Sequence, residues 1–465
     1  MENKNSQKEI EKINLKINKQ ENLLLKKFSK ITKIDHSLNR KMVSFQGNKN
    51  LPFYGLYKFK EAFSVGLIEH LVSRYNLESP VIDCFGGSGT TLFSCSDLGM
   101  NADGIELLPI GKICFEGGCE IRKMSNKTIN SLLQWKSSRM WKNHSQLKIN
   151  TLRISNGAYP KETEIDIGKF INAIKNENKE LKKILWFVLI SILESISYTR
   201  KDGQFLRWDN RSNRDLKGFF NKGEIDSFET AVSKKIDRII NDFNLTKSNN
   251  TKKTLSKKLN LHEGSCLNVM PRMDDGKYST VITSPPYCNR YDYTRTYALE
   301  LALLDTNEEN LSKMRQSLIT STVENKIKPL CDFKKEFSIP INITKNNHLL
   351  IEILNHLEQM KNDKKLNNNS IPRMINGYFT EMSCVIFECW RLLKSGGKMI
   401  MVNDNVRFGG INISVDLILS QIAEEIGFKI VEILVLPEKK GNSSQQMGKF
   451  GKNELRKCLY YWEKP

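Results

Sequence analysis

Two short segments carry residue types that could do chemistry. The first runs Asp83-Cys84-Phe85-Gly86-Gly87-Ser88-Gly89-Thr90-Thr91. Glycines at 86, 87 and 89 let a backbone approach a ligand where a Cβ would clash. Free N–H groups in such a turn, and at the start of a following helix, suit an anionic group such as a carboxylate. A dinucleotide fingerprint would read G-x-G-x-x-G. This turn reads G-G-S-G-T-T, which favours a single-nucleoside ligand with a carboxylate tail. Glu106 ends the next apolar run and can accept from two ribose hydroxyls. Taken alone, the segment also reads as a glycine-rich turn with a purely structural purpose.

The second segment runs Thr283-Ser284-Pro285-Pro286-Tyr287. Paired prolines fix the backbone and remove two donors. The carbonyls of Ser284 and Pro285 can then face a cleft as acceptors, and Ser284 adds a hydroxyl. Tyr287 offers a flat apolar face with a polar tip. Such groups suit an exocyclic amine on a planar base, both N–H bonds being accepted while the ring stacks on Tyr287. Taken alone, this segment is equally a strand-ending turn.

The elements that position these segments follow an α/β rhythm. Val81 and Ile82 predict a strand leading into the glycine turn. Residues 92–98 predict an apolar helix and 102–107 a second strand ending near Glu106. Strand, glycine turn, helix and strand with a terminal acid begin a nucleotide-binding sheet. Residues 278–283 predict a buried strand feeding Ser284. Toward the C-terminus, 380–393 predicts a helix stopped at Gly396-Gly397, and 398–402 a strand. Ser414 is placed to cap a helix ending at Gly427. Residues 428–436 and 455–462 predict a terminal hairpin with an antiparallel strand at one side of an open parallel sheet.

Other stretches break the rhythm. Residues 1–35 place Ile10, Ile13, Ile17 and Leu24 at helical spacing among charges, which predicts an exposed or loosely docked helix. Residues 120–255 hold one apolar helix (181–195) among many Lys, Asn and Arg, and 305–372 form a second irregular, Lys/Asn-rich stretch. The expected organisation is therefore a charged helical extension (1–40), a cofactor-binding half (41–119), an insertion (120–255), a catalytic part (256–304), a second insertion (305–372) and a C-terminal part (373–465).

Composition limits the partners. The 465 residues are 39% hydrophobic and 27% charged, which excludes a membrane-embedded or disordered chain. No apolar run reaches the ~18 residues of a bilayer span, and the N-terminus has no secretory signal. A cytoplasmic protein is expected. Lys and Arg outnumber acids 72 to 52, a net charge of +20, which favours a polyanionic partner such as nucleic acid. The ten cysteines lack metal-ligand spacing, so no metal is expected.

Taken together the two segments carry a resemblance. Residues 83–91 resemble motif I, and Thr283-Ser284-Pro285-Pro286-Tyr287 motif IV, of the amino-group (N4-cytosine/N6-adenine) DNA methyltransferases. Tyr57-Lys58-Phe59-Lys60-Glu61-Ala62-Phe63-Ser64 resembles their motif X. Leu393 to Lys398 resembles the entry to their fifth strand, and Asn442 to Gln446 their late loop near the target base. The resemblance implies a Rossmann-like class I methyltransferase sheet with a C-terminal antiparallel hairpin and inserted DNA-recognition regions. It implies S-adenosylmethionine as cofactor, held by Lys60, Phe63, Ser64, Asp83, Phe85, Gly86, Gly87, Ser88, Gly89, Thr90, Thr91, Glu106, Leu107, Ser265 and Cys266. Ser265 stands where an adenine-contacting Asp is common in the family, so Ser265 or the Cys266 backbone takes that contact.

The catalytic group would be Ser284, Pro285, Pro286 and Tyr287, acting on a base flipped out of duplex DNA. Carbon-5 methylation is disfavoured, because it needs a cysteine nucleophile in a Pro-Cys pair and no proline here precedes a cysteine. The serine form of motif IV resembles the N4-cytosine group more than the N6-adenine group. RNA amino-group methylation and a non-catalytic cofactor-binding regulator are the alternatives. DNA contacts are expected from Arg200, Lys201, Gln204, Arg207, Trp208, Arg211 and Arg214 in the first insertion, and from Arg290 and Arg295 after motif IV. A cognate restriction endonuclease is implied by resemblance alone.

Overall fold

The computed structural model describes residues 2–60, 62–202, 205–216, 218–248, 257–437, 440–441 and 454–465. Among these, eight strands form the central sheet. In chain order they are β1 (Thr32–Ile34), β2 (Val81–Asp83), β3 (Ala102–Glu106), β4 (Leu259–Glu263), β5 (Tyr278–Thr283), β6 (Leu393–Asp404), β7 (Lys429–Val435) and β8 (Lys457–Glu463). They lie in the order β1-β7-β8-β6-β5-β2-β3-β4. β8 runs antiparallel to β7 and β6, and the other neighbours pair in parallel.

The central strands are apolar because both sheet faces are covered. One face packs on α2 (Val65–Tyr75) and α3 (Thr90–Asp97) through Leu67, Ile68, Leu71, Leu92 and Phe93. The other packs on the helices Ile371–Leu392 and Val415–Ile426, and α1 (Glu2–Phe28) lies against Val415–Ile426 and His348–Asn362. A third core stands outside the sheet. It joins the helices Asn126–Ser138, Lys161–Lys175, Lys179–Ile192 and Phe228–Ser248 to the aromatic loop 53–59 and to residues 297–303.

Several expectations change. The N-terminal helix is firmly docked, with Ile17, Leu24 and Phe28 buried, and β1 behind it extends the sheet edge beside β7. Residues 305–372 are helical rather than irregular. They form Glu308–Ser317, Leu330–Phe333, Ser338–Lys345 and His348–Asn362, where Leu349, Leu350, Ile353, Leu357 and Met360 make a buried stripe. Residues 120–255 hold four long helices, and their strands Thr199–Asp202 and Phe205–Trp208 form a separate antiparallel ribbon. The antiparallel strand β8 lies inside the sheet, not at its side.

The late helix starts earlier, at Ile371, and ends at Leu392. Gly396-Gly397 then falls within β6, and Gly396 takes a φ of 74°. Ser414 makes no capping bond, because its hydroxyl is engaged by Glu21 of α1. Asn442 to Gln446 lie outside the described residues.

Candidate functional site

A cleft opens at the carboxyl ends of β2, β3, β4 and β5, where open α/β sheets bind ligands. The turn after β2 forms its floor. Gly87 (φ 54°) and Gly89 (φ 87°) take left-handed conformations that glycine adopts without strain. Gly89 is also the N-cap of α3, so the first amides of that helix open beside Ser88 and Thr90.

Asp83 ties the turn together. One carboxylate oxygen accepts from the Phe85 amide (3.0 Å) and the Thr283 hydroxyl (2.7 Å), and the other from the Thr91 hydroxyl (2.5 Å). Burial pushes the Asp83 carboxyl up, while these three bonds oppose the shift. Asp83 and Thr91 line the cleft and also brace it, locking the end of β5 against the start of α3.

Glu106 ends β3 in the cleft wall. Its two oxygens accept from the amides of Gly87 (2.8 Å) and Leu108 (2.7 Å). Burial dominates over these bonds and pushes its carboxyl up to about 7. A Cβ on Gly111, in the helix Pro109–Arg122, would lie 2.4 Å from Glu106 Cγ and 2.5 Å from the Gly87 carbonyl oxygen. Glycine is needed there so that the helix can press Glu106 onto the turn.

The other lining residues come from distant parts of the chain. Lys60 and Phe63 enter from the aromatic loop, Phe85 and Gly86 from the turn, and Leu107 from behind Glu106. Ser265 and Cys266 follow β4, and the Ser265 hydroxyl makes no bond to the helix it precedes. Ser284 and Pro286 close the opposite side after β5. The glycine turn and the Pro-Pro corner therefore share one cleft.

Ser64, Gly89, Pro285 and Tyr287 are not part of the lining. Ser64 is buried and caps α2, its hydroxyl accepting from the Leu67 amide (3.4 Å). Gly89 shapes the turn from beneath, as the N-cap of α3. Pro285 is buried. Tyr287 is only 3% exposed, and its hydroxyl sits 3.1 Å from both Ser284 Oγ and Lys457 Nζ. The expected stacking platform is therefore buried in this conformation. Tyr293, six residues further on, lines the cavity together with Pro286.

Sequence reasoning missed Phe59, Leu108, Tyr293, Ser317, Leu318 and Ile319 in the lining. Phe59 lies within the aromatic segment 57–64, and that segment is the local signal for it. Residues 317–319 carry no local signal, since a Lys/Asn-rich stretch is folded over the cleft by long-range packing.

The basic residues divide sharply. Arg200 and Arg207 are exposed and face each other across the two-stranded ribbon. Arg290 is half-buried at a φ of 67°. Gln204 lies outside the described residues. Five of the expected DNA contacts are engaged within the protein. Lys201 is buried, ion-paired with Glu300 and set over the Tyr297 ring at 4.6 Å. Trp208 is buried beneath the Arg214 guanidinium at 3.6 Å, and Arg214 also donates to the Asn156 carbonyl (2.7 Å). Arg211 clamps the buried Asp209 with two bonds (2.7 and 2.8 Å). Arg295 bonds Glu324 (2.8 Å) and pairs with Asp292 (3.3 Å), which fixes the loop after Tyr287.

Among the described residues there is no group of three His, Cys, Asp or Glu placed to hold a metal ion. No helix of the described chain is long and apolar enough to cross a membrane.

A mostly parallel sheet with one internal antiparallel strand, carrying a glycine turn and a Pro-Pro corner at its strand ends, is a Rossmann-like methyltransferase fold. No family model matches the chain. Type II methyltransferase M.AvaI of Nostoc sp. is 50% identical over 451 residues, covering 95% of this chain and 92% of its own. Type II methyltransferase M.BsoBI of Geobacillus stearothermophilus is 38% identical over 467 residues, covering 95% and 91%. This chain belongs to the Type II methyltransferases.

Proposed function

We propose that the protein transfers a methyl group from S-adenosylmethionine to the exocyclic N4 of cytosine in duplex DNA, as the modification enzyme of a restriction-modification system. One observation carries this reading: Ser284 and Pro286 line the same cavity as Gly87 and Glu106. The basic charge of +20 and the full-length Type II relatives support DNA as the substrate. Action in the cytoplasm and a companion endonuclease cutting the same site go with this reading.

The cleft fits the cofactor. Phe59, Phe63 and Phe85 supply apolar walls and Glu106, Ser265 and the turn amides a few convergent polar groups, the lining that suits a nucleoside ligand. Glu106 would accept from the ribose hydroxyls, the amides at the start of α3 would take the carboxylate, and Ser265 and Cys266 would meet the adenine. When bound, S-adenosylmethionine supplies an electrophilic sulfonium methyl.

The chain's own groups prepare the nucleophile. Ser284 Oγ, on the cavity wall, accepts one amine hydrogen and helps localise the nitrogen lone pair, which otherwise spreads into the ring. The Pro285 carbonyl, outside the lining in this conformation, becomes the second acceptor once the base is seated. Preorganised acceptors stabilise the positive charge that develops on nitrogen. The Thr283–Asp83–Thr91 bonds hold nucleophile and donor sites at fixed separation, which supplies the proximity such a transfer needs. Base flipping brings the amine to the cleft, with Tyr293 on the wall it would enter.

Target reading is assigned to the helical region 120–255, with Arg200, Arg207 and Arg290 as contacts. Arg207→Ala is expected to lower the slope of log affinity against log salt by about one. Filter binding at graded salt measures it, and an unchanged slope removes Arg207 from the interface.

Glu106 gives a pH signature. Ribose hydroxyls donate best to a carboxylate, so cofactor affinity should rise between about pH 6 and 8. Stability without cofactor moves the other way. The folded carboxyl titrates above its ordinary range, so its contribution is present at low pH and lost as pH rises through about 7. Calorimetry on wild type and Glu106→Gln measures both slopes, and slopes equal in the two proteins would refute the assignment.

Incubation with labelled cofactor, nuclease digestion and mass spectrometry of the nucleosides tests the reaction itself. N4-methylcytosine is expected. N6-methyladenine would keep the chemistry and change the base, and label found in RNA alone would overturn the substrate.

A further inference from the structure

Ser284 has one hydrogen and two lone pairs, and the proposed reaction needs one lone pair facing the amine. That requires its hydrogen to point elsewhere. The hydroxyl has two protein partners, the Val402 carbonyl at 3.3 Å and the Tyr287 hydroxyl at 3.1 Å. The carbonyl only accepts, whereas Tyr287 could donate to Ser284 or accept from it. If Tyr287 accepts, the Ser284 hydrogen is drawn off Val402 and the hydroxyl turns.

Lys457 removes that ambiguity. Its ammonium only donates, and it lies 3.1 Å from the Tyr287 oxygen and 4.8 Å from the ring centroid. Occupying a lone pair of Tyr287 turns the phenol hydrogen toward Ser284. Ser284 then donates to Val402 and keeps a lone pair for the cleft. Lys457 is itself anchored, its ammonium 3.0 Å from Asp404 across the β8–β6 register, with both side chains largely buried. The chain Asp404–Lys457–Tyr287–Ser284–Val402 spans β6, β8 and the loop after β5.

We infer that Lys457 is a positioning residue that sets the direction of the Ser284 hydrogen through the Tyr287 hydroxyl. The inference rests on the proposed methylation of an exocyclic amine. It gives the Tyr287 hydroxyl a polar duty distinct from any contact its ring makes.

The test compares Lys457→Met, Lys457→Arg, Tyr287→Phe and the Lys457→Met/Tyr287→Phe double variant with wild type. Each is assayed for kcat, KM for DNA, cofactor affinity by calorimetry and thermal midpoint. Lys457→Met should lower kcat about tenfold, the worth of one directed hydrogen bond, with KM and cofactor affinity unchanged. Lys457→Arg, still a donor paired to Asp404, should recover most of the rate. Tyr287→Phe removes the competing acceptor and leaves Ser284 donating to Val402, so its kcat should stay near wild type. The double variant should recover the rate of Tyr287→Phe, because without the phenol Lys457 has nothing to direct. Wild-type kcat in Lys457→Met, or a double variant as slow as Lys457→Met, would overturn the inference. If Lys457→Met does not fold, a loss of kcat of about tenfold in Tyr287→Phe, which keeps the ring, overturns it instead. Wild-type protein that methylates no nucleic acid overturns the functional reading as well, and so separates the two failures.

Discussion

Ser284→Ala is expected to lower kcat by about two to three orders of magnitude, the loss typical of one preorganised acceptor at a developing charge. Cofactor affinity should hold, because Glu106 and the start of α3, the groups proposed for the cofactor, are untouched. The substitution leaves little strain. Ser284 is half-buried and its hydroxyl bonds Tyr287 and Val402. The thermal midpoint should therefore stay near wild type. Single-turnover kinetics separate the chemical step from DNA release, and a wild-type rate in that measurement would dismiss Ser284 as an acceptor.

The second large effect is on the cofactor. Glu106→Gln keeps the shape of the side chain and changes its hydrogen-bond sense. The amides of Gly87 and Leu108 each point at one carboxylate oxygen. An amide side chain offers one oxygen and one NH₂ group, so one backbone N–H must face another donor. An unsatisfied buried donor costs about 1–3 kcal/mol, which lowers the thermal midpoint with or without cofactor. The affinity falls because a ribose acceptor is lost and its hydroxyl partner is left unpaired, worth roughly 5- to 150-fold by the same range. Calorimetric titration with S-adenosylmethionine should show an affinity at least about tenfold weaker, with kcat at saturating cofactor much less affected. Equal affinities in the two proteins would mean that Glu106 only braces the turn.

The two predictions differ in how much of their basis was legible in the chain. Ser284 and Glu106 were both named from local signals, a Pro-Pro corner and a strand-terminal acid. Such signals survive without a structure because proline and glycine restrict or free the backbone wherever they stand. The roles of Asp83 and Ser64 were less legible. Each sits in a recognisable segment, yet Asp83 braces three neighbours and Ser64 caps a helix. A motif identifies a location, and the bonds a side chain makes there depend on which neighbours fold against it.

The basic residues of the ribbon show the same limit more severely. Arg200 and Lys201 are adjacent in sequence, but strand alternation sends one to solvent and the other inward to Glu300. The phase of that alternation is set by what the ribbon packs on. Glu300 lies 99 residues away, and nothing in the local sequence announces it.

What the sequence determined by itself was the α/β class, the two chemical segments and the basic charge, since backbone restriction, hydrophobic period and net charge are local or additive quantities. The tertiary structure alone decided that 317–319 close the cleft, that Tyr287 is buried under Lys457, and that β8 runs inside the sheet. Each of these depends on contacts between segments remote in the chain, and such contacts follow from the packing of whole faces rather than from any short run of residues.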